Sequence, residues 1–185
     1  MKLNNILFVF SLVAVLFVTD MATAQKKMSK IDKSPLDMAY FPRRGAKQVR
    51  VIYSRPALKG RAVFGKESKL APLGKKWRTG ANETTEIMFA QDVTFGGKKV
   101  KAGTYSLYTI PRKNKWVVIL NSKLGTWGAY QHDKSKDVVR VDATVKSDAN
   151  NNLENFSIRI AGKDKKASAL VMGWGKTRAR VSISY

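Results

Sequence analysis

The stretch Lys76 to Thr85, KWRTGANETT, sets a Trp, an Arg, an Asn and a Glu within seven residues of a chain that otherwise reads as strands. An Arg fork grips carboxylate or phosphate through parallel hydrogen bonds, an Asn amide both donates and accepts, and a Trp face stacks on a sugar or an aromatic ring. In an extended segment Arg78, Gly80 and Asn82 share one face, while Thr79, Ala81 and Glu83 share the other with Thr85, Ile87 and Phe89. Glu83 then ends a core-facing row, where a lone carboxylate is costly and needs a cation. Arg55, Arg61 and Arg78 are the natural partners, so the expectation is a half-buried Arg–Glu network that pins the preceding loop to the sheet. The same residues also read as a ligand cleft, with Trp77, Trp127, Tyr130 and Tyr53 as its flat faces. A third reading makes Glu83 the acid or base of a hydrolase acting on an envelope polymer. Glycoside hydrolysis needs a second carboxylate ~5 to 10 Å away, and Glu67, Glu86, Asp92 and Asp133 are the candidates.

Other motifs fall away on inspection. Gly173-Trp174-Gly175-Lys176-Thr177 looks like the tail of a phosphate-binding loop, but Leu170 stands where that loop needs its first Gly, and the segment lies between two strands. No G-x-S-x-G elbow occurs. The single His, His132, adjoins Asp133, and neighbours on a strand point to opposite faces, so it reads as a lone surface His. With no Cys there is neither a thiolate metal site nor a disulfide framework. No metal and no cofactor is expected.

The elements that must position these residues are strands. From Gln48 onward the apolar period is close to two: Val49, Val51 and Tyr53 alternate with Arg50, Ile52 and Ser54, and Thr85, Ile87 and Phe89 alternate with Glu86, Met88 and Ala90. Gly96-Gly97 between Val93-Thr94-Phe95 and Lys98-Lys99-Val100 signals a two-residue hairpin. Tyr105 to Ile110 is apolar on both parities, as for a strand covered on both sides, and turns at Arg112-Lys113-Asn114 into Trp116 to Leu120. Val138 to Val145, Leu153 to Ile160, Ala167 to Trp174 and Arg178 to Ile183 follow. The pattern predicts a mainly β domain, an antiparallel sandwich or flattened barrel of about eight or nine strands. The long connection Ser54 to Lys75 calls for one short helix, over Phe64 to Leu70. A second long connection, Asn121 to Asp137, carries Trp127, Tyr130 and His132, as a lid or plug over a sheet end would.

The first 24 residues read as a cleaved export signal: Lys2, an apolar run from Ile6 to Val18, then Ala22-Thr23-Ala24, leaving Gln25 as the new N-terminus. The run is shorter than the ~20 residues of a spanning helix, so no transmembrane segment is expected after cleavage, and the protein belongs in the periplasm or outside the cell. Residues 25–44 read as a flexible basic arm and 45–185 as the β domain. The chain has 35 Lys and Arg against 13 Asp and Glu, and losing the leader removes one of each sign, leaving the formal charge at +22. Inside a cell such a charge suggests nucleic acid. Export turns the expectation to envelope polyanions: acidic polysaccharide, anionic lipid head groups or cell wall.

Several strings together resemble one family: Tyr53-Ser54-Arg55-Pro56, Lys59-Gly60-Arg61, Phe64-Gly65, Trp77 to Glu83, Ala102-Gly103-Thr104-Tyr105, Ile110-Pro111 and Trp127-Gly128-Ala129-Tyr130. The chain resembles the domain-of-unknown-function family 2911 from about Val49 to Ile183. That resemblance implies a compact, mostly β, exported single-domain protein of Bacteroidetes-type bacteria, and it implies no reaction, cofactor or catalytic residue. The expectation is therefore a non-catalytic binding or structural module of the envelope with an anionic or glycan-like ligand. The hydrolase using Glu83 is the rival, and an assembly factor offering a basic face to a protein partner is a third reading.

Overall fold

Val49, Val51 and Tyr53 point inward while Arg50 and Ile52 meet solvent, the alternation a half-buried strand imposes. The same logic repeats along the chain in the computed structural model, which describes residues 29–46, 48–162 and 166–185. The expected leader and its cleavage site lie outside the described residues. Residues 33–185 form a compact unit with its own core.

Eleven strands occur among its described residues: β1 (Leu36–Phe41), β2 (Val49–Ser54), β3 (Glu86–Phe89), β4 (Val93–Phe95), β5 (Lys98–Val100), β6 (Gly103–Ile110), β7 (Lys115–Asn121), β8 (Asp137–Ser147), β9 (Leu153–Gly162), β10 (Ala167–Gly175) and β11 (Thr177–Ser184). All pair antiparallel, in the order β1-β2-β3-β6-β7-β8-β11-β10-β9, with the β4–β5 hairpin added to the end of β11. The Gly96-Gly97 turn has both residues at positive φ, as the predicted two-residue hairpin requires.

The two ends of this order meet, so the sheet nearly closes into a barrel. Around that seam the Ile158 N–H donates to Tyr53 Oη at 3.0 Å, Phe156 N–H donates to Pro56 O at 2.9 Å, and Leu58 N–H donates to Glu154 O at 2.9 Å. Arg55 clamps the same seam, reaching Phe156 O, Ser157 Oγ and the Asp37 carboxylate.

The barrel interior is filled with aromatic side chains. Trp77 stacks on Trp174 with centroids 5.7 Å apart and meets Phe156 edge-on at 4.9 Å, while Phe64 meets Trp116 at 4.9 Å. Three of the four Trp residues are thus core, and only Trp127 is exposed. Strand β6 is buried on both parities from Tyr105 to Thr109, as its composition predicts. Tyr105 and Leu107 enter the barrel core, whereas Tyr108 lies on the opposite face beneath the 122–136 loop.

Three expectations need correction. Within the stretch read as a flexible arm to Arg44, Leu36–Phe41 is an edge strand in six-residue register with β2. Its inward stripe is short, Ala39 and Phe41, so composition hides it and pairing with β2 stabilises it. The helix over Phe64 to Leu70 is absent. Ser68 Oγ donates to Val63 O and accepts from the N–H groups of Leu70 and Ala71, local bonds that satisfy the backbone in a turn instead. The helical content among the described residues is one 3-10 turn, Lys134–Lys136. The strand number exceeds the expected eight or nine because β1 joins and the short β4 and β5 each pair. No described helix is long and apolar enough to cross a membrane.

Candidate functional site

Trp77 is held beside β6 by paired backbone bonds, Trp77 N–H to Thr109 O at 2.7 Å and Thr109 N–H to Trp77 O at 2.9 Å. This pairing turns Trp77 and Thr79 inward and leaves Lys76 and Arg78 on the outer face. The chain then leaves the extended region: Thr79 and Asn82 both sit at φ 58°, a left-handed conformation that costs about 1 kcal/mol or more for a residue bearing Cβ. Local bonds hold the bend. Trp77 Nε1 donates to Gly80 O at 2.9 Å, Thr85 Oγ1 donates to Thr79 O at 2.7 Å, and a Cβ at Gly80 would lie 3.0 Å from Ser54 O.

These two left-handed residues overturn the face assignment read from a period of two. Glu83 is exposed, and among the described residues it forms no ion pair with Arg55, Arg61 or Arg78. The Arg–Glu network does not exist. Arg55 belongs to the seam, Arg61 bonds the carbonyls of Leu58 and Ala57 within its own turn, and Trp77 is 3% exposed in the core. Tyr53 is no open stacking face either. It is buried, and that burial pushes its phenol up to about 12 despite the Ile158 N–H bond, with the Asp37 carboxylate adding to the rise. Glu83→Gln is therefore expected to leave thermal stability within about 1 kcal/mol of the parent, checked by paired melts.

The remaining residues do come together. Glu83 pairs with Trp127 through the backbone, Thr84 N–H donates to Thr126 O at 2.9 Å, and Gly128 N–H donates to Asn82 O at 3.1 Å. Below them Thr84 Oγ1 bonds Gly128 O, and the Thr126 hydroxyl links Thr84 to Tyr108. The 122–136 loop is thus a fixed cover on the outer face of β6 and β7. It carries two exposed aromatics, Trp127 at 56% and Tyr130 at 84%, the latter packed on Gly128.

Beside them stands Arg78, whose electrostatics are unusual for a surface cation. Its Nε is buried without a hydrogen-bond partner, and among the described residues no carboxylate pairs with it. Burial holds its guanidinium below the ordinary value, offset in part by the Tyr130 phenol. Lys76, two residues away on the same face, is lowered by burial as well, with Asp137 opposing and Arg140 adding to the shift. A partly desolvated cation lacking a counter-charge sits beside two exposed aromatic side chains.

Sequence reasoning missed a second cluster under the same loop. The His132 side chain is enclosed, 4% exposed, and its Nε2 lies 2.7 Å from Asp137 Oδ1. Asp137 also accepts from Asn121 Nδ2 and Arg140 Nε. Burial pushes the Asp137 carboxyl up, but the bonds from Asn121, Arg140 and His132 outweigh it and hold the group below the usual range. The reading of His132 as a surface residue is corrected: its partner is five residues on, across a turn that periodicity does not register.

For the hydrolase reading, Asp92 is engaged by Lys101 and Ala102 N–H, Asp133 caps Ser135, and Glu86 accepts from Gly125 N–H. Glu67 is exposed in the first long connection. Of the four, Glu86 is the one tied to the loop that pairs with Glu83, and its carboxylate is spent on Gly125 N–H. Among the described residues no group of three or more His, Asp or Glu side chains is placed to hold a metal. Two open clefts lie elsewhere and share Arg159 and Arg180: one of about 1000 Å³ that includes Tyr40, Phe41 and Arg43, and one of about 650 Å³ that includes Lys146 and Arg178. Arg159 and Arg180 are exposed there and Arg178 is already satisfied by Asp148 and three carbonyls, whereas the Arg78 patch has the desolvated, unmatched charge.

No curated protein and no solved structure matches the chain. A family model described as a protein of unknown function, DUF2911, matches residues 34–183, from just before β1 to the end of β11. With most of its length covered, the chain belongs to the DUF2911 family.

Proposed function

We propose that the protein is an exported, non-catalytic binding module of the periplasm or envelope whose ligand is an acidic glycan, seated on Arg78, Asn82, Trp127 and Tyr130. The observation that carries this reading is Arg78: among the described residues its half-buried guanidinium has no counter-charge and its Nε no partner. A ligand carboxylate placed against the fork gains a charge-assisted bidentate bond and compensates a desolvated cation. The Trp127 and Tyr130 rings supply faces for the sugar, with Asn82 beside them. Export rests on the leader, and the +22 charge draws polyanions towards the surface.

The test is calorimetric titration of the chain beginning at Gln25 with tetragalacturonate and with the neutral galactose tetramer. Binding of the acidic chain is expected, weaker at high salt because exposed charges are screened over ~8 Å or less at and above physiological ionic strength. Arg78→Gln should abolish it and Trp127→Ala should weaken it about tenfold. Equal binding by Arg78→Gln, or equal binding of the neutral tetramer, contradicts the reading.

A further inference from the structure

Nine large apolar residues are left exposed among the described residues, and four of them share one patch of barrel wall: Leu36 at 67%, Met38 at 47%, Tyr40 at 37% and Ile52 at 42%. Leu36, Met38 and Tyr40 are the outward positions of β1, while its Ala39 and Phe41 pack on the core. Met38 stands directly opposite Ile52 in register, and Tyr40 opposite Arg50, so their side chains are neighbours on one face. Met88 of β3 continues the stripe opposite Arg50, whose guanidinium reaches the Met88 sulfur at 3.7 Å. A contiguous exposed apolar surface of this kind marks an interaction site, whereas scattered single residues do not.

The charges around the patch select its occupant. Arg50 lies within it, Lys33 precedes β1, and Arg43 and Arg44 follow it, all exposed. Asp37 faces away and is tied to Arg55, and Glu86, opposite Ile52, is the carboxylate on this face and accepts from Gly125 N–H. A second copy is a poor fit, because each chain carries +22 and docking would bring Arg50 against its symmetry mate. An acidic polysaccharide matches the cations, but its small C–H faces stack on flat rings and cover the protruding aliphatic side chains of Leu36, Met38 and Ile52 poorly. We propose that the outer face of β1 and β2 rests on an anionic lipid bilayer, with these aliphatic side chains and Tyr40 entering the head-group boundary and the Lys and Arg rim meeting acidic head groups. Apolar burial and attraction of Lys and Arg to anionic lipid are the two components of such peripheral binding.

The test must separate this face from general attraction of a basic protein. The chain beginning at Gln25 retains the whole 33–185 unit and lacks the Ile6 to Val18 apolar run. It is sedimented with vesicles of phosphatidylcholine alone and of phosphatidylcholine mixed with phosphatidylglycerol, at low salt and at about 0.5 M NaCl, where screening reaches only a few Å. The parent should bind the mixed vesicles at both salts and bind pure phosphatidylcholine far less. The triple variant Leu36→Ser, Met38→Ser, Ile52→Ser has the same net charge and should lose about tenfold or more of its partitioning at high salt. Should the triple variant lack the parent's β circular dichroism, Ile52→Thr, which keeps a β-branched strand residue, is read instead. Equal high-salt binding by the variant overturns the proposal, as does parent binding seen only at low salt or equal binding to neutral vesicles. A concentration-dependent dimer abolished by the same substitutions overturns it in favour of a second copy. Arg78 lies outside this face, so tetragalacturonate binding succeeds or fails independently.

Discussion

Trp77→Ala is expected to cost about 3 to 5 kcal/mol, the range for deleting a large buried aromatic. Each kcal/mol is worth roughly 2 to 4 °C in a domain of this size, so the melting temperature should fall by about 6 to 20 °C. The indole is 3% exposed and contacts Phe64, Trp116, Phe156 and Trp174, so its removal opens a cavity that rigid neighbouring rings fill poorly. It also removes the Nε1 bond to Gly80 O that holds the bend. Trp127→Ala is the internal control. That ring is 56% exposed, and its loss should change stability by less than about 1 kcal/mol. Melts in which the two variants fall equally would contradict the placement of Trp77 in the core and Trp127 outside it.

Asp137→Ala should cost about 3 kcal/mol, because it leaves the buried Asn121 amide and the enclosed His132 ring short of a partner and removes the pair with the solvent-facing Arg140. The same residue sets a pH dependence. Its folded pKa lies below the unfolded value of about 3.9, so its stabilisation is fully present above that value and is lost as pH falls through the folded pKa. Urea midpoints should therefore hold from about pH 6 to pH 4 and drop below it. Asp92 and Asp133 are also lowered, by bonds from Lys101 and Ser135, but both lie at the surface and their contribution is screened by salt. The acid limb that persists at high salt should disappear in Asp137→Asn. An unchanged acid limb in that variant would place the titrating group elsewhere.

The strands were legible wherever one face is buried. Val138 to Val145 is predicted against the observed Asp137–Ser147, and Leu153 to Ile160 against Leu153–Gly162, because the pleat forces alternation that composition records. β1 escapes that logic: as an edge strand it carries apolar residues on its solvent face, so LDMAYF has no alternation to read. The fate of WRTGANE was not legible for a different reason. Parity holds only while the backbone stays extended, and Thr79 and Asn82 adopt left-handed angles; Asn favours that region, but a β-branched Thr gives no sign of it. Arg78, Asn82, Glu83, Trp127 and Tyr130 are brought together as a group, while Arg55, Arg61 and Trp77 are spent on the seam, a turn and the core. Asp137 and His132 were missed because their pairing runs across a turn, five residues apart, a spacing that belongs to neither the strand nor the helix period.

The claim that Arg78 is kept for a ligand and not for the fold is tested most directly by melting Arg78→Met and the parent with and without tetragalacturonate. An unpaired, half-desolvated guanidinium costs stability, and Met retains most of the aliphatic stem, so the variant alone should melt at or above the parent temperature. Saturating ligand should raise the parent melt, by about 2 to 3 kcal/mol of linkage at a hundredfold excess over Kd, and leave the variant unmoved. A variant that melts several degrees lower on its own, or that keeps the full ligand-induced shift, would contradict that claim.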